Sequence, residues 1–361
     1  MSAGEASVAA HRPAGDRSLQ QAVAIALLAA ALVFVCILAI GVGPAALPPG
    51  RVLAILAAGP HGTAYPLGDT VIVWQIRLPR VLMGALIGAT LALAGAVMQG
   101  LFRNPLADPG IVGVSSGAAL GAVAMIVLGG GPLAPVALLL GPYALLVAAF
   151  VGGLLATLVL YVIATRGGLT SVATMLLAGI ALGAFAAALT GLMIFGSTDT
   201  QLRDITFWSL GGLGGLTWTK LFVTAPVMLA ILVAAPVLAR GLDALVLGEA
   251  EAFHLGFRVQ RLKRLAIFLV AAATGAAVAV SGSIGFVGIV VPHLLRLAVG
   301  ADHRFLLPAS ALGGGVLLVL ADMGARTLVA PAELPIGIIT ATLGAPFFLW
   351  LLLQRRALTG V

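Results

Sequence analysis

Polar and apolar positions along this chain fall into long blocks. Apolar stretches with at most one charged residue each run over roughly 20–43, 80–102, 112–129, 142–165, 171–195, 218–239, 265–282, 284–299, 305–325 and 334–353. Each approaches the ~20 apolar residues that a helix needs to cross a bilayer. Barrel strands would instead alternate apolar and polar over about ten residues. The blocks therefore predict an all-α polytopic membrane protein of about ten transmembrane helices. Residues 1–19 read as a polar tail, 20–353 as a single membrane domain and 354–361 as a second tail. The run from Gln21 to Gly43 is too long for a signal-peptide core and shows no convincing small-residue cleavage site, so it reads as a retained first helix.

Two blocks are irregular. The stretch 109–165 is divided by Gly129-Gly-Gly-Pro132 and Gly141-Pro142. The stretch 265–299 holds two short segments that pivot near Ser281-Gly-Ser-Ile-Gly285, with Pro292 inside the second. There is also a repeat. Arg77-Leu-Pro-Arg80 is echoed by Arg261-Leu-Lys-Arg264, and Gly95, Pro105 and Gly113 by Gly282, Pro292 and Gly300. With the N-terminus inside, the positive-inside rule puts thirteen of the nineteen Lys and Arg on the cytoplasmic side. Arg51, Arg77, Arg80, Arg203, Lys220 and Arg326 are left outside. Both termini are then cytoplasmic, and the two repeats have opposite orientation. Interrupted helices at corresponding places in inverted halves are a transporter pattern.

Composition narrows the class. Apolar residues make up 61% of the chain and charged residues 9%, and mean hydropathy is +1.18. The net charge of +7 reads as topogenic charge around membrane spans, with no nucleic-acid partner implied. Cys36 is the only cysteine, so neither an internal disulfide nor a thiolate cluster can form. No histidine pair has metal-ligand spacing on one helix face. Asp322 and Glu333 sit near span ends, so the buried acids of an ion-coupled carrier are lacking. An intramembrane enzyme would need an acid–base pair or metal ligands at depth, and none is found. Lys220 and Lys263 are followed by Leu and Arg, so no GxxxxGK[ST] phosphate cradle exists. No catalytic residue is assigned, and energy for driven transport must come from another polypeptide.

The polar breaks supply the candidate sites. In the cytoplasmic loop 241–262, Leu242, Leu245, Leu247, Ala250 and Phe253 can form one short amphipathic helix ending at Gly256. It suits either lipid or a cytoplasmic subunit. Residues 201–210 form a second amphipathic piece that could gate a cavity mouth, with Trp208 and Trp218 as interfacial anchors. Asp322 and Arg326 can pair at i,i+4. With Arg77 and Arg80, Arg326 makes an exposed outer cluster suited to carboxylates of a partner protein. Gly84, Gly88, Ala92 and Gly95 suit either close helix packing or pore lining.

Several long stretches carry a family resemblance. They are RLPR (77–80), GAVMQGLFRNPLADPGIVGVSSGA (95–118), LLAGIALG (176–183), LGEAEAFHLG (247–256), SGSIGFVGIVVPHLLRLAVGADHR (281–304) and AELPIGIITATLGAPFFLWLL (332–352). With them the chain resembles the FecCD/BtuC-type permeases of type II ABC importers, which pass cobalamin, iron siderophores or haem. The resemblance covers nearly everything after residue 70. It implies ten helices, a homodimer around the translocation path and location in a bacterial inner membrane. Two cytoplasmic ATPase subunits, which carry the ATP and Mg, and a periplasmic substrate-binding protein are the implied partners. It also implies that Arg77, Arg80 and Arg326 dock the binding protein. Leu247, Gly248, Glu249, Ala252, His254, Leu255 and Gly256 would seat on the ATPase, the helix 171–195 would line the path and 201–210 would gate it. No cofactor or metal is implied in the chain itself. Haem is the first-choice substrate, because the path-lining segments carry almost no charge and the overall likeness is to haem permeases of the HmuU/BhuU type. Ferric siderophore is the runner-up and cobalamin the third option.

Overall fold

A computed structural model describes residues 18–359 apart from Ala46 and Thr63; the expected tail at 1–17 lies outside the described residues. The helices in chain order are α1 (Ser18–Gly41), α2 (Pro49–Ala58), α3 (Leu67–Val71), α4 (Leu78–Leu101), α5 (Val114–Leu128), α6 (Ala134–Leu140), α7 (Ala144–Ala164) and α8 (Val172–Phe195). They continue as α9 (Asp199–Leu210), α10 (Trp218–Ala234), α11 (Ala239–Leu247), α12 (Glu249–His254), α13 (Val259–Ser281), α14 (Val287–Val299), α15 (His303–Thr327) and α16 (Ile336–Thr359). Among the described residues, seven helical stretches are long and apolar enough to cross a membrane. The shorter apolar helices α5, α14 and α16 take the remaining three of the ten predicted places.

Three elements run past their expected bounds. α3 and α4 form one helix from Leu67 to Leu101, joined by a π-helical turn over Ile72–Arg77. Pro79 has no N–H to donate back to Gln75, and the widened turn just before it absorbs that missing bond. α10 continues through a 3-10 turn into α11, so the first third of the expected loop 241–262 is a helical extension of a span. α16 runs to Thr359, where a tail from 354 was expected.

α4 and α13 sit at the centre. Of the most apolar windows, 83% is buried around α4 and 78% in α13, against 17% in α1 and in α8. The outer helices thus keep broad apolar faces for lipid or protein. Small residues set the central crossings. A Cβ on Gly95 would stand 1.9 Å from the carbonyl oxygen of Gly288 in α14, and one on Gly88 would stand 2.2 Å from that of Gly314 in α15. Gly84 faces Leu213 and Val319, and Ala92 is fully buried. Packing, rather than pore lining, accounts for these positions: backbones in lipid gain dispersion contact by close approach.

The two interrupted places are α4–α5 and α13–α14. Each short helix begins immediately after a left-handed residue, Gly113 before α5 and Phe286 before α14. These two residues do not fall at matching places in the Gly95–Gly282 register read from glycine spacing. Gly95 lies inside a helix, whereas Gly282 ends one at φ +69. The elbow between α4 and α5 also turns back toward the middle of α4. Asp108 lines a small polar cavity with Leu91, Thr274 and Gly288. Leu91 lies ten residues before the end of α4, about 15 Å at 1.5 Å per residue. An acid at depth therefore exists, contrary to the expectation from charge positions.

Candidate functional site

Charged side chains gather at the two ends of the central bundle. One end holds Arg77, Arg80, Arg326, Asp322 and Glu333. The Arg80 Nε and Nη2 donate to Asp322 Oδ1 at 3.0 and 2.9 Å, while its Nη1 donates to both oxygens of Glu333 at 2.9 and 3.0 Å. Arg326 Nε lies 3.0 Å from Asp322 Oδ2, the expected i,i+4 pair. This pair is not merely local, because the same carboxylate also holds Arg80.

The arginines are not an exposed cluster. Arg77, Arg80 and Arg326 are all buried. Arg77 Nη1 donates to the carbonyls of Ile40 and Gly41 at 2.8 and 3.0 Å, and its Nη2 donates to Ala45. Arg326 donates to the carbonyls of Val42 and Ala39 at 3.0 and 3.2 Å. The last carbonyls of a helix have no partners within it and carry its negative dipole end. Two cations therefore close the C-terminus of α1, which requires them to be inside. Arg80 lines a pocket of about 430 Å³, together with Trp208, Lys220, Ser281 and Glu333.

The expected gate piece forms as α9, starting two residues early at Asp199. Thr198 and Gln201 make a reciprocal capping box, which satisfies two orphan N–H groups at the helix start. Gln201 Nε2 also donates to the carbonyls of Ile126 and Val127 at the end of α5, both at 3.2 Å. The far end of α9 is stitched into the arginine end. Gly212 N–H donates to Ser281 at 2.8 Å and Ile336 N–H to Gly211 at 2.9 Å. Trp218 is not a free interfacial anchor, because its indole donates to the carbonyl of Trp74 at 2.8 Å. Trp208 packs among Ala118, Ala122, Ala149 and Val278.

Helix α8 buries only Met175, Gly179 and Ala186. Leu177, Ile180, Phe185, Leu192 and Phe195 face outward, so the expected path helix presents an uncharged surface. An apolar furrow of about 350 Å³ runs between α5, α7 and α8, with Ser116 and Phe185 on its walls.

The opposite end carries the loop expected to meet a cytoplasmic subunit. One amphipathic helix was expected there; two form, broken at Gly248, whose φ of +125 favours glycine. Leu242 and Leu245 turn into the core, whereas Leu247, Phe253 and Leu255 stand exposed. Glu249, His254 and Gly256 are exposed with them. Ala252 is fully buried, so it supports this surface from behind and is not part of it.

Side chains that the sequence did not single out anchor this loop. Lys263, buried at the base of α13, donates to Glu249 Oε1 at 2.6 Å and to the carbonyl of Thr170 at 3.0 Å. Thr170 N–H donates to Gln260 Oε1 at 3.0 Å. Thr170 belongs to a two-stranded hairpin, β1 (Thr165–Arg166) and β2 (Leu169–Thr170), turned by Gly167 and Gly168 with positive φ. Ser171 then caps α8 by accepting from Thr174 N–H at 3.2 Å. A continuous chain of polar contacts thus joins the loop to the start of α8. Nearby, His303 Nδ1 meets Asp243 Oδ1 at 2.6 Å, joining α15 to α11. Lys263 sits in an ordinary basic run, so the sequence carries no signal that singles it out.

Comparison with known proteins gives this geometry its context. The chain is 49% identical over 285 residues to the hemin transport system permease protein HmuU of Yersinia pestis, covering 79% of this chain and 84% of that one. It is 46% identical over 311 residues to the cobalamin import system permease protein BtuC of Halobacterium salinarum, covering 85% and 80%. A solved inward-facing structure of a metal-chelate type ABC transporter superposes with a TM-score of 0.79 at 33% identity, covering 91% of this chain and 98% of that chain. The family model of the FecCD transport family matches residues 31–354. These relatives are transport subunits and not enzymes, and the chain belongs to the FecCD family as a permease of an ABC importer.

Proposed function

We propose that this permease passes haem into the cytoplasm across a bacterial inner membrane, as a homodimer of the type II importer class driven by two ATPase subunits. The observation that carries the substrate is the likeness to a hemin permease, at 49% identity against 46% for the cobalamin permease. The uncharged outward face of α8 supports it, since a weakly binding apolar wall lets a large amphiphilic chelate move without trapping it. Cobalamin is the second reading, favoured by the cobalamin-permease relative, and a ferric siderophore keeps the same mechanism.

In this reading the arginine end faces the periplasm, both termini are cytoplasmic, and a loaded substrate-binding protein docks through its carboxylates. Arg80 makes the direct contact, with Arg77 and Arg326 behind it in the same positive knot. Leu247, Glu249, His254 and Leu255 seat on the ATPase, with Gly248 and Gly256 setting the loop's turns and Ala252 its base. ATP binding shifts the permease between its two states only through contacts that differ between them. The loop-to-α8 chain at Lys263 is placed to carry that difference to the path, and α9 to gate it. No cofactor is proposed for the chain itself.

The test is ATP-driven uptake in proteoliposomes holding the permease, its ATPase and its loaded binding protein. Haem, a ferric siderophore and cobalamin are offered in parallel. Haem uptake alone is the expected result. Uptake of another chelate keeps the mechanism and removes the substrate assignment.

A further inference from the structure

The arginine end contains an imbalance that the docking reading does not use. Arg80 is held by two carboxylates of very different accessibility. The side chain of Asp322 is 2% exposed and that of Glu333 is 42% exposed. Removing Asp322 from Arg80 would strand buried charge, which is strongly unfavourable. Glu333 can swing into water at little cost, since half-exposed ion pairs contribute little. Any carboxylate arriving from solution therefore exchanges with Glu333 and not with Asp322. The exchange keeps Arg80 doubly paired throughout.

Glu333 is also mechanically placed. It stands three residues before Ile336, whose N–H donates to Gly211 at the C-terminal end of α9. Leu334 N–H donates to Ala325 at 2.9 Å. A Cβ on Gly214 would stand 3.8 Å from Glu333 Oε2, and a Cβ on Gly337 would stand 2.2 Å from the Leu210 carbonyl oxygen. The strap 333–336 thus lies between Arg80 and the end of the gate helix. Arg80, Glu333 and Lys220 line one cavity, so an entering carboxylate meets a second cation there.

We propose that Glu333 is a built-in stand-in for the partner's carboxylate. An acidic side chain of the substrate-binding protein takes its place on Arg80, and the released strap loosens the end of α9. Docking is then read directly at the gate, and the undocked permease keeps its gate fastened. This rests on the reading that Arg80 docks the binding protein, and it adds what the arginine holds beforehand and what its release does.

The test uses the permease–ATPase complex in lipid nanodiscs and the substrate-free binding protein as probe. Affinity is measured for the native chain, Glu333→Gln and Arg80→Gln. With its internal competitor removed, Glu333→Gln is expected to dock about fivefold tighter, the worth of a half-exposed charged pair. In a Cys36→Ala background, the thiol of Phe207→Cys on α9 is expected to react faster when Glu333→Gln is added, without any binding protein. Unchanged or weaker docking by Glu333→Gln overturns the proposal. Should Glu333→Gln not fold, Glu333→Asp keeps the charge but draws it back from Arg80, and about twofold tighter docking is expected; unchanged or weaker docking overturns the proposal equally. Arg80→Gln separates the two levels. If it leaves docking unchanged, the docking reading itself falls. If it weakens docking while Glu333→Gln does not tighten it, only the stand-in falls.

Discussion

The two ends of the bundle each bury a cation, but they do so in different ways. At the arginine end, Arg80 and Arg326 share Asp322, and Arg77 and Arg326 close the carbonyls at the end of α1. At the loop end, Lys263 holds one half-exposed carboxylate and one carbonyl. A planar guanidinium offers five fixed donors and suits a many-partnered knot, whereas a lysine is a point charge on a flexible stem. The first arrangement fixes three helices relative to one another. The second joins a surface loop to the start of α8 through fewer contacts, and its carboxylate, Glu249, is half-exposed. The difference suggests a rigid mouth and a compliant linkage, joined through α4 and α13.

The largest expected effect comes from breaking the knot. Asp322→Ala leaves two buried guanidiniums short of their shared carboxylate, at a cost of about 3–5 kcal/mol. It is measured as lost thermal stability of the solubilised permease. Glu249→Ala is expected to cost less, about 2 kcal/mol, because the buried ammonium of Lys263 loses its carboxylate but keeps the carbonyl of Thr170. Equal losses at the two ends would remove the contrast. Next in size is the link between them. Gly95→Val places side-chain atoms into the Gly288 carbonyl and is expected to cost about 3 kcal/mol through overpacking; unchanged melting would mean that α4 and α14 do not touch there. The smallest effect on stability belongs to Lys263→Met, within about 1 kcal/mol, since the carboxylate left behind, Glu249, is half-exposed and keeps its water. Its expected signature is functional: ATP turnover persists while uptake per ATP falls severalfold. Retained coupling would show that the loop does not act through Thr170.

Much of this was legible in the sequence, and what was missed has physical reasons. Long apolar blocks identify the spans because lipid forces each to satisfy its own backbone. The interrupted segment near Ser281–Gly285 is visible because glycine and proline punctuate it. The burial of Arg77 and Arg326 was not legible. Their partners are carbonyls at the end of α1, and a hydropathy pattern does not say which helix ends meet. The depth of Asp108 was not legible either, because charge position gives no depth once the chain turns back on itself. The break at Gly248 was hidden for a related reason, since the apolar spacing from Leu242 to Phe253 fits one amphipathic helix although its two halves face different ways. The Lys263 chain joins Glu249, Gln260 and Thr170, residues as much as ninety positions apart.

The central claim is that the two ends serve different partners, and recruitment to the permease in nanodiscs tests it most directly. Two variants are compared, Arg80→Gln and replacement of residues 248–256 by a Gly/Ser linker, with retention of the ATPase and of the binding protein measured for each. The account predicts that Arg80→Gln weakens the binding protein and keeps the ATPase. The linker should release the ATPase and leave the binding protein's intrinsic docking in place. Loss of the ATPase from Arg80→Gln, or full retention of both partners by both variants, would contradict it.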